Sequence, residues 1–177
     1  GTWVVKEEKS LEDVVVTGVA YDKGEAKVQL LGVADRPGVV AQLFGTLSKM
    51  NVSVDMIIQN TQYTAPEDTT DVTFTLAKTD LARVQNDLDA LLKQVGGKGY
   101  RIDEDIVKVS IVGLGMRSHA GVAAQMFQIL ASEGINIQAI STSEIKISCL
   151  IASKYTELAV RALHDGFGLG GKLECFA

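Results

Sequence analysis

Two hydrophobic rhythms alternate along the chain. Residues 26–33 form an apolar-rich run and residues 71–76 alternate apolar with polar, and both read as strands, whereas Leu43, Phe44, Leu47 and Met50 share one face of a helix. Residues 52–58 follow as another strand, and Leu81, Val84, Leu88, Leu91 and Leu92 mark a second helix predicted to begin after Asp80. The downstream half repeats this order. A strand at 107–112 precedes a helix carrying Val122, Met126, Ile129 and Leu130; strands at 135–140 and 145–151 and a helix with Leu158, Val160, Ala162 and Leu163 complete it. Polar breaks, Asp35-Arg36-Pro37-Gly38 and Ser118-His119-Ala120-Gly121, separate the first strand of each half from its helix.

The two halves are copies. Shifting by the interval from Gly38 to Gly121, 83 residues, aligns Gly38-Val39-Val40-Ala41-Gln42-Leu43-Phe44 with Gly121-Val122-Ala123-Ala124-Gln125-Met126-Phe127. The match continues to Leu47/Leu130 and Ile57/Ile140, and recurrence at a fixed offset reports a duplicated structural unit. Each copy reads β-α-β-β-α, one strand short of a βαββαβ unit. Residues 102–107 are ambiguous enough to supply that strand to the first copy, while the second runs out in the Gly-rich 166–171. The upstream run Val14-Val15-Val16-Thr17-Gly18-Val19-Ala20 is spare and is predicted to cross over and complete the second sheet; the alternative is an edge strand on the first copy. The expected class is α+β, two ferredoxin-like units in tandem. The expected boundaries are 1–13 linker, 14–24 crossover strand, 25–104 first unit, 105–169 second unit and 170–177 tail.

Composition narrows the function more than the fold. With 46% hydrophobic and 22% charged residues the chain can build one or two cores. The net charge of −5 is spread along it without a Lys/Arg cluster, so nucleic acid is not an expected partner. No run approaches the roughly 18 apolar residues that span a bilayer, and the start lacks a signal-peptide pattern; a cytoplasmic protein without a membrane partner is expected. Cys149 in an apolar run and Cys175 near the C-terminus, with no CxxC spacing, read as free thiols.

Candidate chemistry is sparse. There is no Walker loop, and Gly113-Leu114-Gly115 fails as a dinucleotide fingerprint because Ser118 stands where the third Gly belongs. His119 and His164 are too far apart for a helical metal pair, so no metal, cofactor or catalytic residue is expected. His164 suits a helix C-terminus; His119 replaces Arg36 in the second turn, in a binding or a turn role. An enzyme built on His119 or Cys149 is a poor alternative, since an apolar strand gives a thiol no cation to lower its pKa. The turns are better candidates. The first N–H groups of a helix attract anions such as a carboxylate, and Gly38 and Gly121 allow a ligand to approach the backbone. A plain tight turn with Asp35 or Ser118 as N-cap fits the same residues.

A Gly-containing turn at this place in a βαββαβ unit resembles the ACT domain, a small-molecule sensor fused to many metabolic enzymes. Val16-Thr17-Gly18-Val19-Ala20, Asp55-Met56-Ile57-Ile58-Gln59-Asn60, Thr69-Thr70-Asp71-Val72-Thr73-Phe74 and Ile140-Ser141-Thr142-Ser143-Glu144-Ile145-Lys146-Ile147-Ser148 resemble the tandem ACT region of bacterial aspartate kinases. The resemblance covers residues 14–169, and the Ser-Thr-Ser-Glu-Ile run is its most specific part. It implies an allosteric module that binds threonine, lysine or both for feedback inhibition of aspartate-family amino-acid biosynthesis. The family's Lys-Phe-Gly-Gly type motif, which opens its catalytic domain, is missing, so this chain is not expected to be an enzyme by itself. Gly1-Thr2-Trp3-Val4-Val5 resembles the last strand of that domain, which implies an excised regulatory region; in some members the same region is made separately as a small subunit.

The implied partners are an aspartate kinase catalytic domain or subunit and a second copy, joined through ACT domains. In the family, effectors lie where the turn of one ACT unit faces the second strand of another. Carried over by residue, one site would combine Asp35, Gly38, Val39, Val40 and Gln59 with Asn136 and Ile137. The other would combine Ser118, His119, Gly121, Val122 and Ser143 with Ser53, Val54 and Asp55. Asp35 against Ser118, and Asn136 against Ser53, imply different ligands; family analogy puts threonine at the first site and lysine at the second. A free-standing double ACT sensor of another enzyme or a transcription system is the alternative.

Overall fold

The computed structural model describes residues 16–61, 68–114 and 120–169. In chain order the elements are β1 (Val16–Asp22), β2 (Glu25–Ala34), α1 (Val39–Lys49), β3 (Val54–Thr61), β4 (Thr69–Ala77), α2 (Lys78–Gln94), β5 (Gly99–Asp103), β6 (Ile106–Gly113), α3 (Ala120–Ser132), β7 (Ala139–Thr142), β8 (Lys146–Ala152) and, after a 3₁₀ turn at Ser153–Tyr155, α4 (Thr156–Gly166). They form two compact units: residues 23–106, and the residues from 107 onward together with the strand that precedes Lys23.

The first unit is one four-stranded sheet, β3-β4-β2-β5, with α1 and α2 on it. Ala26, Val28 and Leu30 of β2 and Val72, Phe74 and Leu76 of β4 alternate onto one face, each at most 1% exposed. Leu43 and Leu47 of α1, with Leu81, Val84, Leu88 and Leu91 of α2, cover that face. Each such side chain contributes about 1.5–3 kcal/mol relative to an exposed one. Phe44 meets Phe74 edge to face, with centroids 5.7 Å apart.

The second unit is built alike, in the order β1-β6-β8-β7. Val107, Val109 and Ile111 of β6 and Ile147, Cys149 and Ile151 of β8 pack against Met126 and Leu130 of α3 and Ala159, Val160 and Leu163 of α4. Its fourth strand comes from upstream. β1 runs antiparallel to β6, with Val19 opposite Ile111, and Val19 joins this core. The spare N-terminal strand therefore completes the second sheet and is not an edge of the first, whose edges are β3 and β5.

The duplication reaches the helix ends. Asn51 and Gly134, 83 positions apart, both take left-handed backbone after their helices, φ 58° and 68°. Asn51 N–H donates to the Ser48 carbonyl and Val52 N–H to that of Leu47; Gly134 and Ile135 donate in the same way to Ala131 and Leu130.

Three expectations need correction. Residues 102–107 are not one strand: Asp105 N–H donates to the Asp103 carboxylate at 2.9 Å, and this turn ends β5 before β6 begins. Ile102 thus pairs with Val28 in the first sheet while Val107 belongs to the second core. Helix α2 starts at Lys78 rather than after Asp80, with Ala77 as its N-cap; Asp80 sits in the first turn and binds Arg83. The second strand of each unit is also displaced, to 54–61 in the first and to the short 139–142 in the second, where Gln138 N–H still donates to the Leu150 carbonyl.

Candidate functional site

The turn between β2 and α1 is the part of the first unit where backbone groups stand open. Gly38 is the N-cap of α1 with φ 92°, a conformation that suits glycine, and no side chain caps the helix. Asp35 is therefore not the N-cap that one reading of the sequence offered. Its own N–H donates to the Asp68 carbonyl at 2.8 Å, its side chain is exposed, and its carboxylate meets no hydrogen-bond donor among the described residues. The N–H groups of Val40 and Ala41 likewise meet no acceptor among the described residues, and the first turn of α1 holds no acidic side chain. The turn thus combines an uncompensated positive helix end with an exposed carboxylate, the two charges a zwitterion would meet. Val39 is buried and Val40 half-buried, so the turn is anchored to the core from its helical side.

Gln59 is exposed on β3, an edge strand, near the same end of the sheet. It pairs with Val72, and Thr61 with Thr70, which in turn faces Val33 at the end of β2. Two strand spacings, about 10 Å, separate β3 from β2. Ser53, Val54 and Asp55 lie at the opposite end of β3, where Val54 faces Leu76. A bulge there sends Met56 N–H to the buried Thr75 hydroxyl at 3.0 Å. The first unit thus gathers Asp35, Gly38, Val39 and Val40 toward the Gln59 end and keeps Ser53–Asp55 away from them.

The second unit follows the same plan. Ser118 and His119 lie outside the described residues. Gly121, exposed, and Val122, half-buried, open α3. Ser143 sits in the β7–β8 hairpin, at the end of the sheet where β6 runs into that turn. Its hydroxyl donates to the Lys146 carbonyl at 3.3 Å and accepts from Lys146 N–H at 3.2 Å, so it shapes the hairpin. Asn136 is exposed and Ile137 half-buried, at the other end, before β7. Each predicted site draws its turn, with Gln59 or Ser143, from one unit and its remaining residues from the other, and within either unit these two half-sites stand at opposite ends.

Sequence reasoning missed one feature of the first turn. Gly32, with φ 62°, donates its N–H to the Asp71 carboxylate at 2.9 Å and forms a bulge just before the turn. The break in alternation at Leu30-Leu31-Gly32-Val33 was the available signal.

Elsewhere the described residues hold no group of three His, Cys, Asp or Glu placed to bind a metal, and no helix among them is long and apolar enough to cross a membrane. Cys175 lies outside the described residues. Cys149 is fully buried, and burial pushes its thiol up to about 12 from 9.0. With the folded pKa raised, the unfolded chain loses this proton first. Stability from this group is whole below pH 9 and falls by up to about 1.4 kcal/mol per pH unit as pH rises toward 12. Urea unfolding of Cys149→Ala beside the wild type should show a shallower decline above pH 9 in the variant.

The ACT domain models match residues 28–93 and 109–167, one in each unit. Aspartate kinase of Pseudomonas putida is 48% identical over 165 residues, 93% of this chain and 39% of the relative. A solved structure of aspartokinase alpha and beta subunits matches with 49% identity and a TM-score of 0.79, over 87% of this chain and 99% of that one. The chain belongs to the aspartate kinase family, as its tandem ACT regulatory region. The regulatory subunit of aspartate kinase from Thermus thermophilus, solved without ligand, is similar too, with 40% identity, a TM-score of 0.78 and coverage of 87% of this chain and 99% of that subunit. The chain spans about two fifths of the length of the Pseudomonas putida relative, 39%.

Proposed function

We propose that this chain is the effector-binding module of an aspartate kinase, taking threonine at the Asp35 turn and lysine at the Gly121 turn, and that it conveys feedback inhibition to the kinase's catalytic part. The observation that carries this reading is the β2–α1 turn: Gly38 in left-handed backbone, open N–H groups of Val40 and Ala41, and the exposed Asp35 in the same turn. A bound amino acid would set its carboxylate on the helix end and its ammonium group on Asp35. The Gln59 side chain, an acceptor and donor, would serve a hydroxyl such as threonine's. Membership of the aspartate kinase family supports the choice of effectors, and the buried free thiol of Cys149 fits a cytoplasmic setting.

Completion of each site requires a second copy. The half-sites at opposite ends of each unit fit a homodimer in which the Asp35 turn of one copy faces Asn136 and Ile137 of another, and the Gly121 turn, with Ser118, His119, Val122 and Ser143, faces Ser53, Val54 and Asp55. The edge strands β3 and β7 carry exposed isoleucines at repeat-related positions, Ile57 at 51% and Ile140 at 46%, as strands do that pair with another sheet. Ligand bound across such a joint strengthens it by linkage. Sedimentation should give a dimer that tightens with threonine; a monomer with and without saturating threonine and lysine would exclude the shared site. Amide chemical shifts on titration test the location directly. Threonine should move the signals of residues 35–41 and Gln59, and a titration that leaves them in place contradicts the assignment.

A further inference from the structure

The first turn is aimed by a device that the described residues of the second unit do not contain. Leu30 faces Val72 and Val33 faces Thr70, so Leu31 and Gly32 together oppose Asp71 alone, a β-bulge. The bulged N–H, that of Gly32, is held by the Asp71 carboxylate at 2.9 Å. Gly32 has φ 62°, and a Cβ there would lie 2.9 Å from the Lys98 side chain. From the other flank, Lys98 N–H donates to the Leu31 carbonyl at 2.8 Å and Ala34 N–H to the Val95 carbonyl at 3.2 Å.

The extra residue changes which side chains face which way. Before it Val28 and Leu30 turn to the core; after it Val33 does, at 0% exposure, in place of Ala34. One residue of slip inverts the facing of everything that follows, so Asp35 leaves the strand with the parity of Val33, on the side where α1 lies. Without the bulge, Asp35 would depart on the opposite side. In the second unit Gly113, at the matching strand end, does not take left-handed backbone; its N–H donates to the Ile145 carbonyl at 2.8 Å, and the register shift beside it lies on β1, between Val16 and Gly18. Lys146 precedes Ile147 there as Asp71 precedes Val72, a residue of opposite charge.

We propose that Asp71 is a positioning residue for the first effector site alone: by holding the Gly32 bulge it sets Asp35 and Gly38 where an amino acid is received. The proposal rests on the functional reading above.

Asp71→Ala and Asp71→Asn in the 177-residue chain test it by amide exchange at Gly32 and by titration with threonine and lysine. The first site's ligand is the one whose binding Asp35→Ala weakens. Asp71→Ala should exchange the Gly32 amide about tenfold faster and bind that ligand about tenfold more weakly, with the other ligand unaffected. Asp71→Asn, whose amide oxygen still accepts, should stay near the wild type in both. Unchanged Gly32 exchange in Asp71→Ala, or equal loss for both ligands, overturns the proposal. Should Asp71→Ala fail to fold, Asp71→Glu, with the carboxylate displaced by one methylene, decides by the same readouts. If the wild type binds neither amino acid, the functional reading falls and the site-specific claim with it. Gly32 exchange then still shows whether Asp71 holds the bulge.

Discussion

Asp35→Ala should weaken threonine binding by roughly 10- to 100-fold and leave folding stability within about 0.5 kcal/mol. The two halves of this expectation have separate causes. Asp35 is exposed, is not the cap of α1, and has no hydrogen-bond donor on its carboxylate among the described residues, so the fold loses little with it. A charge-assisted contact to an ammonium group is worth about 1.5–3 kcal/mol, and all of that is lost. Calorimetric titration and urea unfolding of the same preparation separate the two. A variant that binds threonine normally but is about 1 kcal/mol less stable would return Asp35 to a structural role. In a kinase carrying this region, the substitution should relieve feedback inhibition and spare activity.

Removal of residues 1–22 should have a larger effect, confined to one unit. β1 supplies the fourth strand of the second sheet, pairs with β6 from Val16 to Asp22, and adds Val19 to the core at 6% exposure. Its loss strips β6 of one neighbour along most of its length. At about 1 kcal/mol for each of several ladder hydrogen bonds, plus roughly 1.5–3 kcal/mol for Val19, the loss rivals the stability of a small domain. Hydrogen exchange read by mass spectrometry should show residues 107–169 unprotected while 25–103 keep their protection. Equal protection of both units in the truncated chain would mean that the second sheet stands without β1.

The residues that carry periodicity made most of this fold legible. Leu81, Val84, Leu88 and Leu91 announce α2 because each spends its side chain on one core, and the 83-residue recurrence of Gly38-Val39 as Gly121-Val122 announces the second unit. β1 could be assigned because the second copy had no strand of its own to offer. What periodicity cannot carry is pairing decided by a side chain on another strand. The Gly32 bulge depends on Asp71, 39 positions away, and Asp71 looks like any polar position of an alternating strand. The boundary at 103–106 failed for a related reason: Ile102, Ile106 and Val107 look continuous until the Asp103 carboxylate captures the Asp105 N–H. At the site, the Gly-containing turn was visible, but Asp35 stood equally well as cap or ligand contact. The left-handed Gly38 at the N-cap position removes the capping role alone. Which half-sites meet is not written in the periodicity of one chain; only the family resemblance implies a second copy.

The most direct measurement is calorimetric titration of the 177-residue chain with threonine and lysine, singly and together. The proposed function predicts saturable heat for threonine that disappears or weakens strongly in Asp35→Ala, and separate saturable heat for lysine that survives in that variant. Absence of saturable heat for either amino acid, alone or in the presence of the other, would contradict it.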